Sequence, residues 1–219
     1  MVNRALDLVL PVTCAGCGDP GSPCCAECFA MLAKPGPVAR GPTGAVPVYA
    51  LAPYSGPPRR LVLAYKERGR RDVAGRLGAA LAAALPYLPE ARPGLGEWWW
   101  LVPVPSRRTA SRVRGGPHLL RLARACAAEL ASAGRPVAVA PALRLRSGAR
   151  DAVGLDRAQR VANLEGRLVV EPRGLPPPAT PVVLLDDVVT TGATAAACTR
   201  ALAAAGVPVA AVLALTAAG

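Results

Sequence analysis

The chain has 219 residues, which is enough for one full domain and a small second one. Hydrophobic residues make up 52% of the chain and support a packed core, although only 4% of the residues are aromatic. Basic residues outnumber acidic ones by 26 to 14, and the net charge of +12 favours anionic partners such as phosphates or nucleic acid. Asp7 breaks the N-terminal apolar run, and Gly206 and Pro208 interrupt the apolar tail, so we expect neither a signal peptide nor a membrane span. These features predict a cytoplasmic protein.

Five of the seven cysteines lie close to the N-terminus. Four of them form two C-x-x-C turns, Cys14 with Cys17 and Cys25 with Cys28. Each turn directs two thiolates at one point, and two such turns complete a tetrahedral zinc site. We therefore predict a structural zinc ribbon, with Cys24 as an alternative ligand to Cys25. Disulfides or a redox role are the competing interpretations, which a reducing cytosol disfavours.

A proline- and glycine-rich linker is predicted over 36–45, followed by a short strand over 46–51. A helix is predicted over about 59–85, interrupted by a charged turn over 66–72. Lys66 opens this turn beside an aromatic residue. It is either a ligand for an anion or part of a solvated surface.

A strand over 98–102 ends in a turn that contains two prolines. Prolines hold such a turn rigid, and three polar residues follow it: Ser106, Arg107 and Arg108. Ligands of parallel sheets bind at the carboxyl edges of strands, so these residues are candidates for an anion site.

A helix is predicted over 119–133 and a strand within 137–145. His118 is the only histidine and a candidate general base, although its place at a helix start is more typical of a terminal or surface role. The segment 107–124 carries six arginines and no acid, which makes it the best candidate for a nucleic-acid surface.

The most informative stretch is 182–194. Four apolar residues predict a strand buried on both faces, and Asp186 and Asp187 follow at its carboxyl edge. A loop of small and hydroxyl residues comes next, and then a helix over 195–205 and a final strand over 207–215.

Strand, loop and helix N-terminus together form a phosphate-binding geometry, because free amides and the helix dipole face the anion. The residues predicted to cradle the phosphate are Val189, Thr190, Thr191, Gly192, Ala193 and Thr194. Two carboxylates would repel phosphate but accept hydrogen bonds from sugar hydroxyls, so a ribose 5-phosphate fits the whole stretch. A Walker B strand and a ligand-free buried strand are the alternatives; the first lacks its P-loop partner.

The segment 184–194 resembles the phosphoribosyl-pyrophosphate (PRPP) motif of type I phosphoribosyltransferases. The chain as a whole resembles ComF-type proteins, the competence-associated branch of that superfamily. The resemblance implies that Asp186 and Asp187 are the catalytic acids holding the ribose, and that Mg²⁺ accompanies PRPP. The pyrophosphate would contact five further residues: Lys66, Pro105, Ser106, Arg107 and Arg108.

Two segments bear on this resemblance. Arg114 matches the family's Arg-Gly-Phe-Asn-Gln sequence, but Pro117 and His118 stand where relatives have asparagine and glutamine. Contacts made by those two side chains therefore cannot be transferred. Arg160 and Asn163 resemble a family segment close to a loop that shields the substrate from water, with a surface helix as the alternative.

Alternating strands and helices, together with the resemblance, predict an α/β chain with the type I phosphoribosyltransferase fold over 46–219. The zinc ribbon would occupy 1–35. The expected function is that of a PRPP-binding, phosphoribosyltransferase-like protein linked to DNA uptake. Its expected partners are PRPP or a related phosphorylated ribose, single-stranded DNA, and competence or DNA-processing proteins. A DNA-binding competence factor without transferase turnover and a PRPP-sensing regulator are the alternatives.

Overall fold

The computed structural model describes residues 12–39, 46–93, 98–105, 117–146 and 167–219. Within these ranges, no helix combines the length and the apolar character needed to cross a membrane.

The helices and strands of the described residues follow one another along the chain as α1 (Ala26–Ala30), β1 (Gly36–Pro37), β2 (Val48–Pro53), α2 (Gly56–Glu67), α3 (Ala74–Ala84), β3 (Trp99–Pro103), α4 (His118–Ser132), β4 (Val137–Val139), β5 (Leu143–Leu145), β6 (Leu168–Val170), β7 (Val182–Val189), α5 (Ala193–Ala204) and β8 (Val209–Ala217). Short 3₁₀ turns occur at Arg71–Val73, Leu85–Tyr87 and Pro172–Gly174.

Six of these strands form one sheet in the order β1-β2-β8-β7-β3-β4. All neighbouring pairs are parallel except β1 with β2. Strands β5 and β6 form a separate antiparallel pair. The predicted α/β class with a mostly parallel sheet is therefore confirmed.

The centre of the sheet is apolar because helices cover both of its faces. Strands β7 and β8 are buried along almost their whole length. Helices α3 and α4 pack closely at Gly78, where a Cβ atom would lie only 2.6 Å from the Cβ of Ala125. Gly78 therefore sets the distance between these two helices.

The direction in which the chain adds strands to the sheet reverses between the β3 unit and the β7 unit. The β3-α4-β4 unit moves to one side of the sheet, whereas the β7-α5-β8 unit moves to the other. Because such crossovers are right-handed, α4 and α5 cover opposite faces. A crevice forms between the carboxyl ends of two strands at such a switch point, and open α/β sheets bind ligands there.

Three elements differ from the sequence predictions. Strand β7 does not end before the acids, because Val188 and Val189 continue its pairing with β8. The segment predicted to be a linker contributes β1, whose residues Gly36 and Pro37 pair with β2. The strand predicted within 137–145 is divided into β4 and β5, which belong to different sheets.

Candidate functional site

The carboxyl ends of β3 and β7 lie side by side at the switch point. Pro103 of β3 is paired with Leu185 of β7, and the amide of Val104 donates to the carbonyl of Leu185 at 2.9 Å. Pro105, half-buried, follows directly. The proline turn predicted to flank a ligand therefore adjoins the strand that carries the two acids.

Part of the predicted pyrophosphate site can be located. Pro105 and Lys66 are among the described residues, whereas Ser106, Arg107 and Arg108 lie outside them. The predicted substrate-shielding segment around residues 154–166 also lies outside.

Asp187 lies at the meeting point of β7, α2 and α4 and is 3% exposed. The Nζ atom of Lys66, on α2, lies 3.0 Å from Oδ1 and 2.8 Å from Oδ2 of Asp187. The Nε2 atom of His118, the first residue of α4, lies 2.7 Å from the same Oδ2. Lys66, predicted as either a ligand-binding or a solvated residue, is therefore paired with one of the two acids.

The environments of the two neighbouring acids drive their pKa values apart. Burial opposes ionisation of Asp187, but the hydrogen bond from His118 and the charge of Lys66 outweigh it and lower the pKa of Asp187 to about 2. Burial, reinforced by the negative charge of Asp187, raises the pKa of Asp186 to about 8. At neutral pH, Asp187 is a carboxylate that only accepts hydrogen bonds, whereas a protonated Asp186 also donates.

The two acids project to opposite faces of the sheet, because successive residues of a strand alternate. Asp187 faces α2 and α4. Asp186 lies toward α5, which carries Cys198. Burial is the main cause that raises the pKa of the Cys198 thiol, and the negative charge of an ionised Asp186 adds to it. The amide of Asp187 donates to Oδ1 of Asp186 at 2.8 Å and ties the two residues together.

The 190–194 loop joins β7 to α5. Gly192 precedes α5 with a φ angle of 71°, a left-handed conformation that favours glycine. The amide of Ala193 donates to Oγ1 of Thr191 at 3.4 Å. Within the part of the chain that the structure describes, the backbone amides of Thr190, Thr191, Gly192 and Thr194 donate to no protein acceptor. The loop thus presents several unpaired donors at a helix N-terminus, a geometry suited to an anion.

The four predicted metal ligands come together. The Sγ atoms of Cys14, Cys17, Cys25 and Cys28 all lie within 4.8 Å of one another. Those of Cys17 and Cys25 are 3.6 Å apart, well beyond the roughly 2.05 Å of a disulfide bond. Four thiols at such distances match the donor set of a structural zinc site.

Backbone amides surround these sulfur atoms. The amides of Cys25 and Gly16 donate to Sγ of Cys14 at 3.3 and 3.4 Å. Burial opposes ionisation of this thiol, but the backbone hydrogen bonds outweigh it and lower its pKa to about 6. Cys24 is also buried, but its Sγ donates to the carbonyl of Cys25, and it does not belong to the four-thiol group. The geometry therefore selects Cys25 over Cys24 as the third ligand.

The cysteine cluster is fastened to α2 and α3. Arg60 of α2 donates to the carbonyl of Gly16, and Arg70 donates to the carbonyl of Thr13 at 2.8 Å. The guanidinium of Arg76, on α3, lies 4.9 Å from the ring centre of Phe29 in α1. The helix that supplies Lys66 therefore also supports the cysteine cluster.

A search of protein-family models and a search of curated proteins each found no match for this chain. The chemistry of the two clusters is therefore the basis for a functional assignment.

The sequence named His118 as a candidate general base but did not indicate that it pairs with Asp187. A helix-terminal or surface role was favoured for it; His118 does begin α4, but it is 5% exposed and bonded to Asp187. The sequence did contain an indication of this pairing. A helix that follows a parallel strand begins at the carboxyl edge of the sheet, so the start of α4 and Asp187 were both expected at that edge.

Proposed function

We propose that this chain binds a 5-phosphorylated ribose, PRPP with Mg²⁺ above all, and is a phosphoribosyltransferase-like protein of the ComF family. One observation carries the proposal. The 190–194 loop offers unpaired backbone amides at the N-terminus of α5, at the end of the strand that carries two buried acids, Asp186 and Asp187. A phosphate and a sugar diol on one molecule satisfy both parts of this arrangement.

Each part of the ligand has a partner in this proposal. The 5-phosphate accepts hydrogen bonds from the loop amides and is favoured by the helix dipole. The ribose hydroxyls contact Asp186 and Asp187. The Asp187 carboxylate is almost fully buried, and Lys66 is bonded to it. On binding, Lys66 moves from Asp187 to the ligand's diphosphate, which carries more negative charge, and the carboxylate then becomes available to the ribose.

The proposed reaction uses the same residues. A nucleophile attacks C1 of the ribose as the bond from C1 to the diphosphate oxygen breaks. Lys66 stabilises the negative charge on the departing diphosphate, and the family resemblance implies Arg107 and Arg108 as further partners; Asp187 faces the positive charge that develops on the sugar.

The four-thiol cluster is proposed to hold a structural Zn²⁺ ion. Cys14, Cys17, Cys25 and Cys28 would supply all four tetrahedral positions, which leaves no open site for catalysis. Bound zinc would stabilise a segment whose own core is small.

Single-stranded DNA stays a proposed partner on grounds of charge. The net charge is +12, and Arg124 is exposed on α4 with Arg121 one turn before it. Binding of labelled single-stranded DNA that weakens steeply with salt and is competed by PRPP would place both ligands at one site. PRPP binding without turnover or DNA affinity would favour the sensing role instead.

The test compares two glycines at the opposite ends of α5. Gly192 and Gly206 both have positive φ angles, 71° and 77°. Alanine at either position should cost roughly 1–2 kcal/mol of stability, since a left-handed conformation strains it. Only Gly192→Ala should also disturb the phosphate cradle and weaken PRPP binding about tenfold or more, measured by titration calorimetry with Mg²⁺.

Gly206→Ala is the matched control, because a Cβ atom there meets no atom within 4 Å. Equal PRPP affinity of the two variants would refute the proposed role of the loop. Absence of PRPP binding by the wild-type protein would refute the proposed function.

A further inference from the structure

The two partners of Asp187 differ in mobility and exposure. The Lys66 side chain is 31% exposed and reaches Asp187 through a flexible four-carbon stem. The His118 side chain is only 6% exposed and contacts Asp187 through a single ring nitrogen. One partner can exchange with solvent or ligand, and the other is enclosed.

His118 is itself held in place. The hydroxyl of Tyr65 donates to the backbone carbonyl of His118 at 2.6 Å. The rings of these residues meet edge to face, with centroids 6.0 Å apart and planes at 70°. The imidazole is thus fixed by α2 and α4 together, and its Nε2 atom points at Oδ2 of Asp187.

We propose that His118 is a positioning residue, which holds Oδ2 of Asp187 so that Oδ1 meets the ligand's hydroxyl once Lys66 has moved away. The inference rests on the proposed function, since it assigns a role within the same ribose site. This role explains why both Lys66 and His118 are bonded to the carboxylate of Asp187. Lys66 can transfer to the diphosphate, while His118 remains to orient the buried carboxylate.

This role predicts that a substitution of His118 preserves the site when the new side chain is long enough to place a donor nitrogen at Oδ2 of Asp187, whether or not it carries a charge. The amide nitrogen of glutamine can occupy roughly the place of histidine Nε2, whereas that of asparagine stops near Nδ1. His118→Gln can therefore still donate to Asp187, and His118→Asn cannot. The two variants form a matched pair of neutral amides.

The first experiment titrates PRPP with Mg²⁺ into the full chain and both variants, well below their unfolding temperatures. We expect His118→Gln to bind within about threefold of the wild type and His118→Asn to bind about tenfold more weakly or worse, the loss of one hydrogen bond to a charged group. A merely structural role would lower the thermal stability of both variants without this separation of affinities.

The affinities of the variants test the role of His118, and the affinity of the wild type tests PRPP binding itself. Wild-type affinity in His118→Asn, or equal losses in both variants, would overturn the role of His118 while PRPP binding stands. Failure of the wild-type chain to bind PRPP would overturn the proposed function and, with it, this role.

A second measurement needs no ligand and no His118 variant. The chain contains one histidine, so ¹⁵N-edited NMR reports on a single imidazole. We expect a protonated Nε2 in the wild type, with its signal shifted in Asp187→Asn and unchanged in Asp72→Asn, an exposed control acid. An imidazole signal that ignores Asp187→Asn would overturn the pairing.

Discussion

Replacing Asp186 by asparagine should make the stability of the protein less sensitive to a rise in pH between about 4 and 8. The side chain of Asp186 is buried, and its pKa is raised from 3.8 to about 8, first by burial and then by the charge of Asp187. Between these two values the folded protein holds a proton that the unfolded chain releases. Stability from this group is therefore fully present below pH 4 and is lost as the pH rises toward 8. Asparagine keeps an oxygen for the amide of Asp187 but has no charge to bury.

The size of the effect follows from the difference of one bound proton. Stability attributable to Asp186 falls by about 1.4 kcal/mol per pH unit in this window, or about 3 kcal/mol from pH 5 to pH 7. For a chain of this length, that corresponds to a change in the melting temperature of roughly 6–12 °C. The wild type should lose this much relative to Asp186→Asn over the same interval.

Differential scanning calorimetry of both proteins at half-unit steps from pH 5 to pH 8 measures the difference. Asp72→Asn is the control. Asp72 is an exposed acid, and its hydrogen bond from Arg70 lowers its pKa, so it stays ionised throughout this range. Parallel curves for the wild type and Asp186→Asn would refute the assignment of a protonated carboxyl at this position.

The remaining predictions concern the metal centre and the helix packing. Cys25→Ser should lower the zinc content from one ion per chain in a colorimetric chelator assay, whereas Cys24→Ser should retain it, because only Cys25 belongs to the four-thiol group; equal losses would contradict the ligand assignment. Gly78→Ala should destabilise the fold by about 1–3 kcal/mol in urea titrations, because its Cβ atom would lie 2.6 Å from that of Ala125. Gly75→Ala, in the same helix but facing open space, should instead stabilise it by about 0.5–1 kcal/mol. Loss of stability in both would contradict the close packing at Gly78.

The sequence predicted the elements whose signal is local. Runs of apolar residues identify the central strands, and spacing of two residues between cysteines identifies Cys14, Cys17, Cys25 and Cys28 as one cluster. Gly192 and its hydroxyl neighbours predicted the turn before α5. Each of these features is set by residues close together in the chain.

Features that depend on distant residues were not predictable in this way. The bond between His118 and Asp187 joins residues 69 positions apart, and that between Lys66 and Asp187 joins residues 121 apart. The continuation of β7 past the acids depends on pairing of Val188 and Val189 with β8, which no local pattern specifies. The division of the 137–145 segment likewise follows from β5 pairing with β6 in a second sheet.

The most direct test of the account is a crystal structure of the chain with PRPP and Mg²⁺. We predict that the 5-phosphate accepts hydrogen bonds from the backbone amides of the 190–194 loop, that the ribose hydroxyls contact Asp186 and Asp187, and that Lys66 has left Asp187 for the diphosphate. A phosphate bound elsewhere, with the loop amides still unpaired and Lys66 still on Asp187, would contradict the account.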